Sequence, residues 1–466
     1  MTATDTGVVV AADEAARATL ISEHSARPRH DLPVLEAYRG LAAVMVVFTH
    51  VGFVSGVGMG GAWAGWLSRL DFGVTLFFLL SGFLLFRPFV QAAYGRRPPV
   101  PVGSYLRRRY VRIYPAFLVV LLFDYLITPK ARAADGELWW QTLFMVQNYT
   151  VNFLNQLPGL VQIWSLAVEV SFYLALPLLA WLVLGRGAEA SDASARAVAV
   201  RSARLARTPA QVRQEALARD RLPWPNRVLA ARPWMVEVPA LRPGLVLAAM
   251  VMFSMAWRLY FMLSPGGLDN QLLWLPAFLD WFGAGMAMAW LRERDAPVPR
   301  ILREVAGSTG ACWSLGLAGF WLTTTELAGP YGLDGPAPQQ AMFKHLLYLA
   351  IAILLLLPAV FGDPDARWRR TAGNRFFSWL GRISFGLFLW HPMLMEAIRR
   401  MLRMGPVGGS FWLTVTLTLL AGSAAATLSW RFVEDPLQRR WRNGFRSGHR
   451  EPAPAGRRRI VLRRGA

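Results

Sequence analysis

The stretch EAYRGLAAVMVVFTH, residues 36–50, decides how the rest of the chain is read. Between Arg39 and His50 every residue is uncharged and most are apolar, the character of a helix entering lipid. At 100° and 1.5 Å per residue, two positions eleven residues apart lie within roughly 20° of each other and about 16 Å apart along the axis. An arginine and a histidine therefore share one face of a membrane-directed helix. Ionisable groups inside a bilayer cost several kcal/mol on insertion scales, so this pair asks for a function. Taken singly, Arg39 would read as a snorkelling anchor and His50 as an interfacial residue bonded to a neighbour.

Working outward, the chain of 466 residues is 54% hydrophobic and carries 20 Trp and 27 Phe, a composition foreign to soluble domains. Its apolar residues gather into blocks of roughly 18 to 22, the length of helix that crosses a hydrocarbon core. Ten such blocks occur, at about 37–54, 72–93, 110–128, 164–185, 243–263, 274–291, 304–324, 341–361, 382–402 and 411–432. The short alternating segments of a transmembrane barrel are absent. The expected fold is an all-α integral membrane protein of about ten transmembrane helices, multi-pass in the plasma membrane.

The formal charge of +21 would suggest nucleic acid in a soluble protein, but the arginines lie almost wholly between apolar blocks and read as topology signals. Alternate connections are basic: the segment with Arg96, Arg97, Arg107, Arg108 and Arg109, the span 186–241, RERDAPVPR at 292–300, DARWRR at 365–370, and the tail after Arg431. The intervening GLDNQ and TELAGPYGLDGPAPQQ contain no Lys or Arg. Both termini are thereby expected in the cytoplasm, with Arg399, Arg400 and Arg403 as exceptions to the pattern. Residues 1–32 lack the apolar core and cleavage site of a signal peptide and read as a cytoplasmic tail. A ten-helix domain then covers 33–436, with an aromatic outer loop at 129–163 lying at the interface and an Arg/Pro-rich inner loop at 186–241, before a basic tail at 437–466. The single cysteine, Cys312, excludes an internal disulfide framework and a Cys-rich metal site.

Few other ionisable residues fall inside the blocks. Glu169 in IWSLAVEVSFY is expected at a depth similar to His50, where a carboxylate would orient and charge an imidazole acting as general base; a structural ion pair or hydrogen bond is the competing reading. His391 in FGLFLWHPM precedes Pro392, which frees a backbone carbonyl, so it either lines a cavity or bonds to that backbone. Arg258 and Asp280 sit at matching depths and read as a buried ion pair, with substrate contact as the alternative. In SYLRRRYVRIYP, Arg107, Arg108, Arg109 and Arg112 stand where the third helix enters the membrane, as anchors or as a phosphate site.

Taken together these stretches resemble the acyltransferase-3 family of integral membrane O-acyltransferases. YRGLAAVMVVFTH is similar to its first-helix signature, an arginine, ten residues and a histidine. DFGVTLFFLLSGFLLF resembles its second helix, with Phe78, Ser81, Gly82 and Phe83 as the core, and RRRYVRIYP its basic entry to the third, with Arg109 and Arg112. IWSLAVEVSFY and SFGLFLWHP resemble two later stretches, the second with Phe388 where tyrosine is usual. These matches run in order from residue 38 to about 436. The resemblance implies transfer of an acetyl or other short acyl group from cytoplasmic acyl-CoA to a hydroxyl of a sugar, glycan or glycolipid. It places the cofactor's phosphates near Arg39, Arg109 and Arg112, the catalytic base at His50 assisted by Glu169, and the substrate pocket around Ser81 and His391, with membrane lipid around it. It implies no metal and no nucleic acid. Many relatives carry a hydrolase-like domain beyond the last helix, where this sequence has the basic tail, which makes delivery to a distant polymer less secure. A transporter or flippase is the rival class, since intramembrane charges also mark substrate paths, although no internal repeat is evident; a sensor of acylated ligands is a third.

Overall fold

The computed structural model describes residues 33–440 except 95, 98, 130–133, 151–155, 186–242, 265–268, 295 and 333–334. The expected tails 1–32 and 441–466 and the inner loop 186–241 lie outside the described residues. Every regular element among the described residues is helical. The ten long helices are α1 (Pro33–Ser55), α2 (Gly73–Ala93), α3 (Val102–Ile127), α4 (Ile163–Leu184), α5 (Pro243–Leu263), α6 (Leu279–Glu293), α7 (Thr309–Thr323), α8 (Pro338–Phe361), α9 (Arg375–Met401) and α10 (Phe411–Ser429). Each matches one apolar block. Seven of the described helices, those other than α6, α7 and α9, are long and apolar enough to cross a bilayer by themselves.

The remaining three depart for local reasons. The block at 274–291 enters through 3-10 turns at Asp269–Leu273 and Leu275–Phe278, the second holding Pro276 in its first turn, so the α-helix starts only at Leu279. The block at 304–324 is broken at Ser308, whose ψ of 62° leaves the helical region after Gly307, giving Arg300–Gly307 and then α7. α9 is 27 residues long but includes Arg382, Glu396, Arg399 and Arg400, which lower its apolar character.

α1 is buried on two sides at once. Ala42 and Val46 join a large core with α2, α4 and α6, while Ala43, Val47 and Val51 join a second core with α9 and α10. A helix apolar all round is expected at such a centre. α1 and α9 run parallel in contact, with Glu36 beside Gly381 and His50 beside His391. α2 and α6 approach at backbone distance: a methyl group on Gly82 would overlap the Phe282 carbonyl, and one on Gly285 the Leu79 carbonyl. Small residues at such crossings let helices approach closely where lipid provides no hydrophobic drive. The outward faces of the helices are apolar as well, as at Leu122, Leu126, Leu174, Leu178, Leu245, Met252 and Leu315. Such a belt suits hydrocarbon rather than water.

Of the aromatic segment expected as an outer loop, the described residues include helices Gly136–Leu143 and Gln147–Thr150. Asn148 donates to the carbonyls of Trp164 and Leu273, and Trp274 donates back to the Asn148 carbonyl, so this segment is tied to the ends of α4 and α6. Arg399, the main exception in the charge pattern, is buried and donates to the carbonyls of Gly405, Pro406 and Gly408. Its charge organises a turn rather than anchoring a membrane face.

Candidate active site

A cavity of about 280 Å³ opens among α1, α2, α3, α4 and α9. Arg39 reaches it from α1, Ser81 from α2, Arg109 and Arg112 from α3, and Glu169 and Tyr173 from α4. Positions three or four apart share a helix face, so one face of α3 delivers both guanidinium groups and one face of α4 both the carboxylate and the phenol. Five residues expected at the site from sequence are thus brought into one cavity, although they are distributed over 130 positions of chain between Arg39 and Glu169.

Glu169 is held from two sides. Ser81 Oγ donates to its Oε1 at 2.5 Å and Tyr173 Oη donates to the same oxygen at 2.6 Å. Among the described residues Arg39 makes a long contact, 3.4 Å, to Glu36, one turn earlier on the same helix. Arg109 Nε is buried with no hydrogen-bond partner among the described residues. A buried guanidinium nitrogen without an acceptor is costly, and an anionic ligand would satisfy it. Arginine presents planar donor pairs that match carboxylate and phosphate oxygens alike, so this end of the cavity offers donors to an anionic group.

His50 lies elsewhere. Its Nδ1 is 2.8 Å from His391 Nε2, and the two rings stack at 5.0 Å with an interplanar angle of 12°. His391 is fully buried, and its Nδ1 is 3.1 Å from the Leu387 carbonyl oxygen. A carbonyl only accepts, so Nδ1 of His391 carries a proton; neutral His391 then accepts at Nε2, and His50 donates from Nδ1. The free lone pair of His50 is consequently on Nε2. The expected partnership of Glu169 with His50 is therefore corrected: the imidazole is oriented by His391, because α1 and α9 run side by side while α4 supplies its carboxylate to Ser81 and Tyr173. His50 and His391 do not line the arginine cavity. Phe388 joins the two places, lining the cavity, packing against His391 at 6.1 Å and meeting Phe77 edge-on at 6.0 Å. The histidine pair thus stands about one helical turn beyond the cavity's aromatic end.

Arg258 and Asp280 take no part in this cavity. Asp280 is paired with His345 Nε2 at 2.6 Å and accepts from Ser254, while Arg258 donates to the Ala277 carbonyl and lies over the Phe278 ring. The expected direct ion pair between them gives way to Asp280–His345, since α8 brings a buried imidazole against α6. His345 was legible only as one more histidine inside an apolar block; Tyr173 carried a clearer signal, standing one turn from Glu169.

A multi-pass helical membrane protein with a cationic, carboxylate-bearing cavity between its helices is the class that fold and site define. Residues 33–433 match the family model described as an acyltransferase domain, and the chain belongs to that family, acyltransferase-3. It is similar to YrhL of Bacillus subtilis (strain 168), 24% identical over 91% of this chain and 57% of the relative. The O-acetyltransferase OatA of Staphylococcus aureus (strain NCTC 8325 / PS 47) is 22% identical over 90% of this chain and 58% of its own length. The peptidoglycan O-acetyltransferase OatA of Listeria monocytogenes serovar 1/2a is 22% identical over 90% and 57%. The chain thus spans somewhat under three fifths of the curated relatives it matches. No solved structure matches significantly.

Proposed function

We propose that the protein is a membrane-embedded O-acyltransferase that moves an acetyl or other short acyl group from acyl-CoA to a hydroxyl of a cell-wall glycan. The observation that carries the reading is the convergence of Arg39, Arg109 and Arg112 on one cavity whose aromatic end abuts the His50–His391 pair. Membership of the acyltransferase-3 family and the O-acetyltransferase activity of the relatives support it. The basic connections of the chain face the cytoplasm on this reading, which gives the arginine end of the cavity access to cytoplasmic acyl-CoA.

Each group has a role in this scheme. The arginines hold the donor's phosphates, with Glu169, fixed by Ser81 and Tyr173, as the counter-charge that offsets their mutual repulsion. The thioester end extends past Phe77 and Phe388 towards His50. Nε2 of His50 takes the proton of the acceptor hydroxyl as its oxygen attacks the thioester carbonyl. A C–O ester bond forms, the C–S bond breaks, and the proton passes to the departing thiolate. His391 fixes the tautomer that leaves Nε2 basic.

Purified protein incubated with radiolabelled acetyl-CoA and a muropeptide acceptor tests this directly. His50→Ala is expected to abolish ester formation while the protein remains folded, and Arg109→Ala to raise the apparent KM for acetyl-CoA by about tenfold or more, as for loss of a charged hydrogen bond. An intact thioester with wild-type protein that moves acceptor across vesicles would instead make it a transporter.

A further inference from the structure

A second, larger recess of about 520 Å³ lies on the other side of α1, walled by α1, α2, α7 and α8 and closed at one end by the short helix Arg367–Ala372. Its lining is apolar, with Trp66, Trp313 and Trp368 among its walls. Tyr38, which also lines it, turns its hydroxyl to the Leu355 carbonyl at 2.6 Å, so the wall's polar group is satisfied within the protein. Leu41 and Leu317 line the recess and are exposed on the outer surface of the helices, so it opens sideways to the bilayer between α1 and α7. An apolar space of this size stays dry, and in a membrane hydrocarbon is what fills it.

Its length and its charged end narrow the occupant. Along α1 the lining runs from Ala37 to Met45, about 12 Å at 1.5 Å per residue, close to the hydrocarbon depth of one leaflet, about 15 Å. At the closed end Trp368 and Ala372 line the recess, and Arg367 and Arg370 on the same short helix are exposed, as is Arg375 at the start of α9. The neighbouring Arg369 is engaged by the carbonyls of Pro358, Ala359 and Gly362, which pins this helix to the end of α8. Asp363 and Asp365 precede it, so the segment 363–375 keeps a surplus of positive charge, four arginines against two aspartates. An apolar slot one leaflet deep, ending at exposed guanidinium groups, fits an amphiphile with an anionic head.

We propose that this recess is a binding site for an anionic phospholipid of the surrounding bilayer, one acyl chain lying between α1 and α7 and the phosphate headgroup against Arg367 and Arg370. The site is independent of the arginine cavity and of the acyl-transfer reading.

Native mass spectrometry of the full-length protein, delipidated in mild detergent and then offered an equimolar mixture of phosphatidylglycerol and phosphatidylcholine with identical chains, tests the assignment. Wild type is expected to retain one lipid and to prefer phosphatidylglycerol by roughly thirtyfold, the combined attraction of two basic residues for an anionic headgroup. The double substitution Arg367→Gln, Arg370→Gln should bring that ratio near one. Leu317→Trp, which sets a ring in the mouth, should lower total retained lipid several-fold without changing the ratio; Leu41→Trp serves the same purpose if the first variant does not purify folded. Equal retention of the two lipids by wild type, no retention, an undiminished preference in the double variant, or full retention in the mouth variants would each overturn the proposal. Protein taken directly from its own membrane and carrying an isoprenoid phosphate instead of a diacyl lipid would overturn it as well.

Discussion

At the scale of single residues, the geometry around His50 is the most consequential feature. A neutral imidazole that donates from Nδ1 to a fully buried neighbour has its basic lone pair fixed on Nε2, and the neighbour is itself fixed by the Leu387 carbonyl. In the proposed mechanism His391 takes the orienting part that a carboxylate plays in many acid–base sites. If that is its part, His391→Ala lowers kcat by about 10²-fold, the scale of general-base assistance, and leaves the apparent KM for acetyl-CoA unchanged. His391→Gln, whose amide oxygen can accept from Nδ1–H, should retain clearly more activity than the alanine variant. Equal turnover in all three proteins, measured with labelled donor, would reduce His391 to packing. The sequence marked both histidines as costly residues in lipid, but not that they pair across 341 positions. The Glu169–Tyr173 bond was closer to legible, because helical spacing alone puts the two on one face.

At the scale of elements, the bundle depends on crossings where backbones meet. Gly82 and Gly285 face each other's helices, and a side chain at either must displace a backbone carbonyl rather than a flexible neighbour. Gly285→Val is therefore expected to destabilise the protein by more than the about 1–3 kcal/mol typical of overpacked cores, seen as a lowered unfolding midpoint in detergent or loss of the folded fraction on size exclusion. Gly103→Val, at a position whose added carbon would meet nothing within 4 Å, is the control and should behave as wild type in this respect apart from intrinsic helix propensity. The ten helices each match an apolar block of the sequence, and in seven of them length and apolarity suit a bilayer crossing. The break at Ser308 and the late start of α6 were not legible there, because Gly307 and Pro276 act through local backbone geometry that an average over a block conceals.

At the scale of the whole molecule, α1 runs parallel to α9, and α2 to α6, where Phe78 packs on Phe278 and Arg87 pairs with Glu293; both agree with an alternating ten-helix path, since each pair is separated by an even number of crossings. The proposed sidedness rests on the charge pattern, with the basic connections placed inside. In a Cys312→Ala background, a cysteine at Asp365 should react with an impermeant maleimide only after the cytoplasmic face is opened, and one at Gln339 in intact cells. Both positions are exposed; Gln339 is in the first turn of α8 and Asp365 lies just past its end, and the helix's 24 residues span about 36 Å. The reverse pattern would invert the cavity and end the proposal that donor enters from the cytoplasm.

By itself the sequence determined the membrane solvent, the number of long helices and the short set of ionisable residues placed where lipid should forbid them, because hydropathy and helical period are local properties. Tertiary structure alone decided which of those residues meet. Arg39, Arg109, Arg112, Ser81 and Glu169 share a cavity, while His50 turns to His391 and Asp280 to His345. The reason is that partner choice depends on which helices run side by side and at what depth, and that is set by the packing of small residues and aromatic rings between elements far apart in the chain.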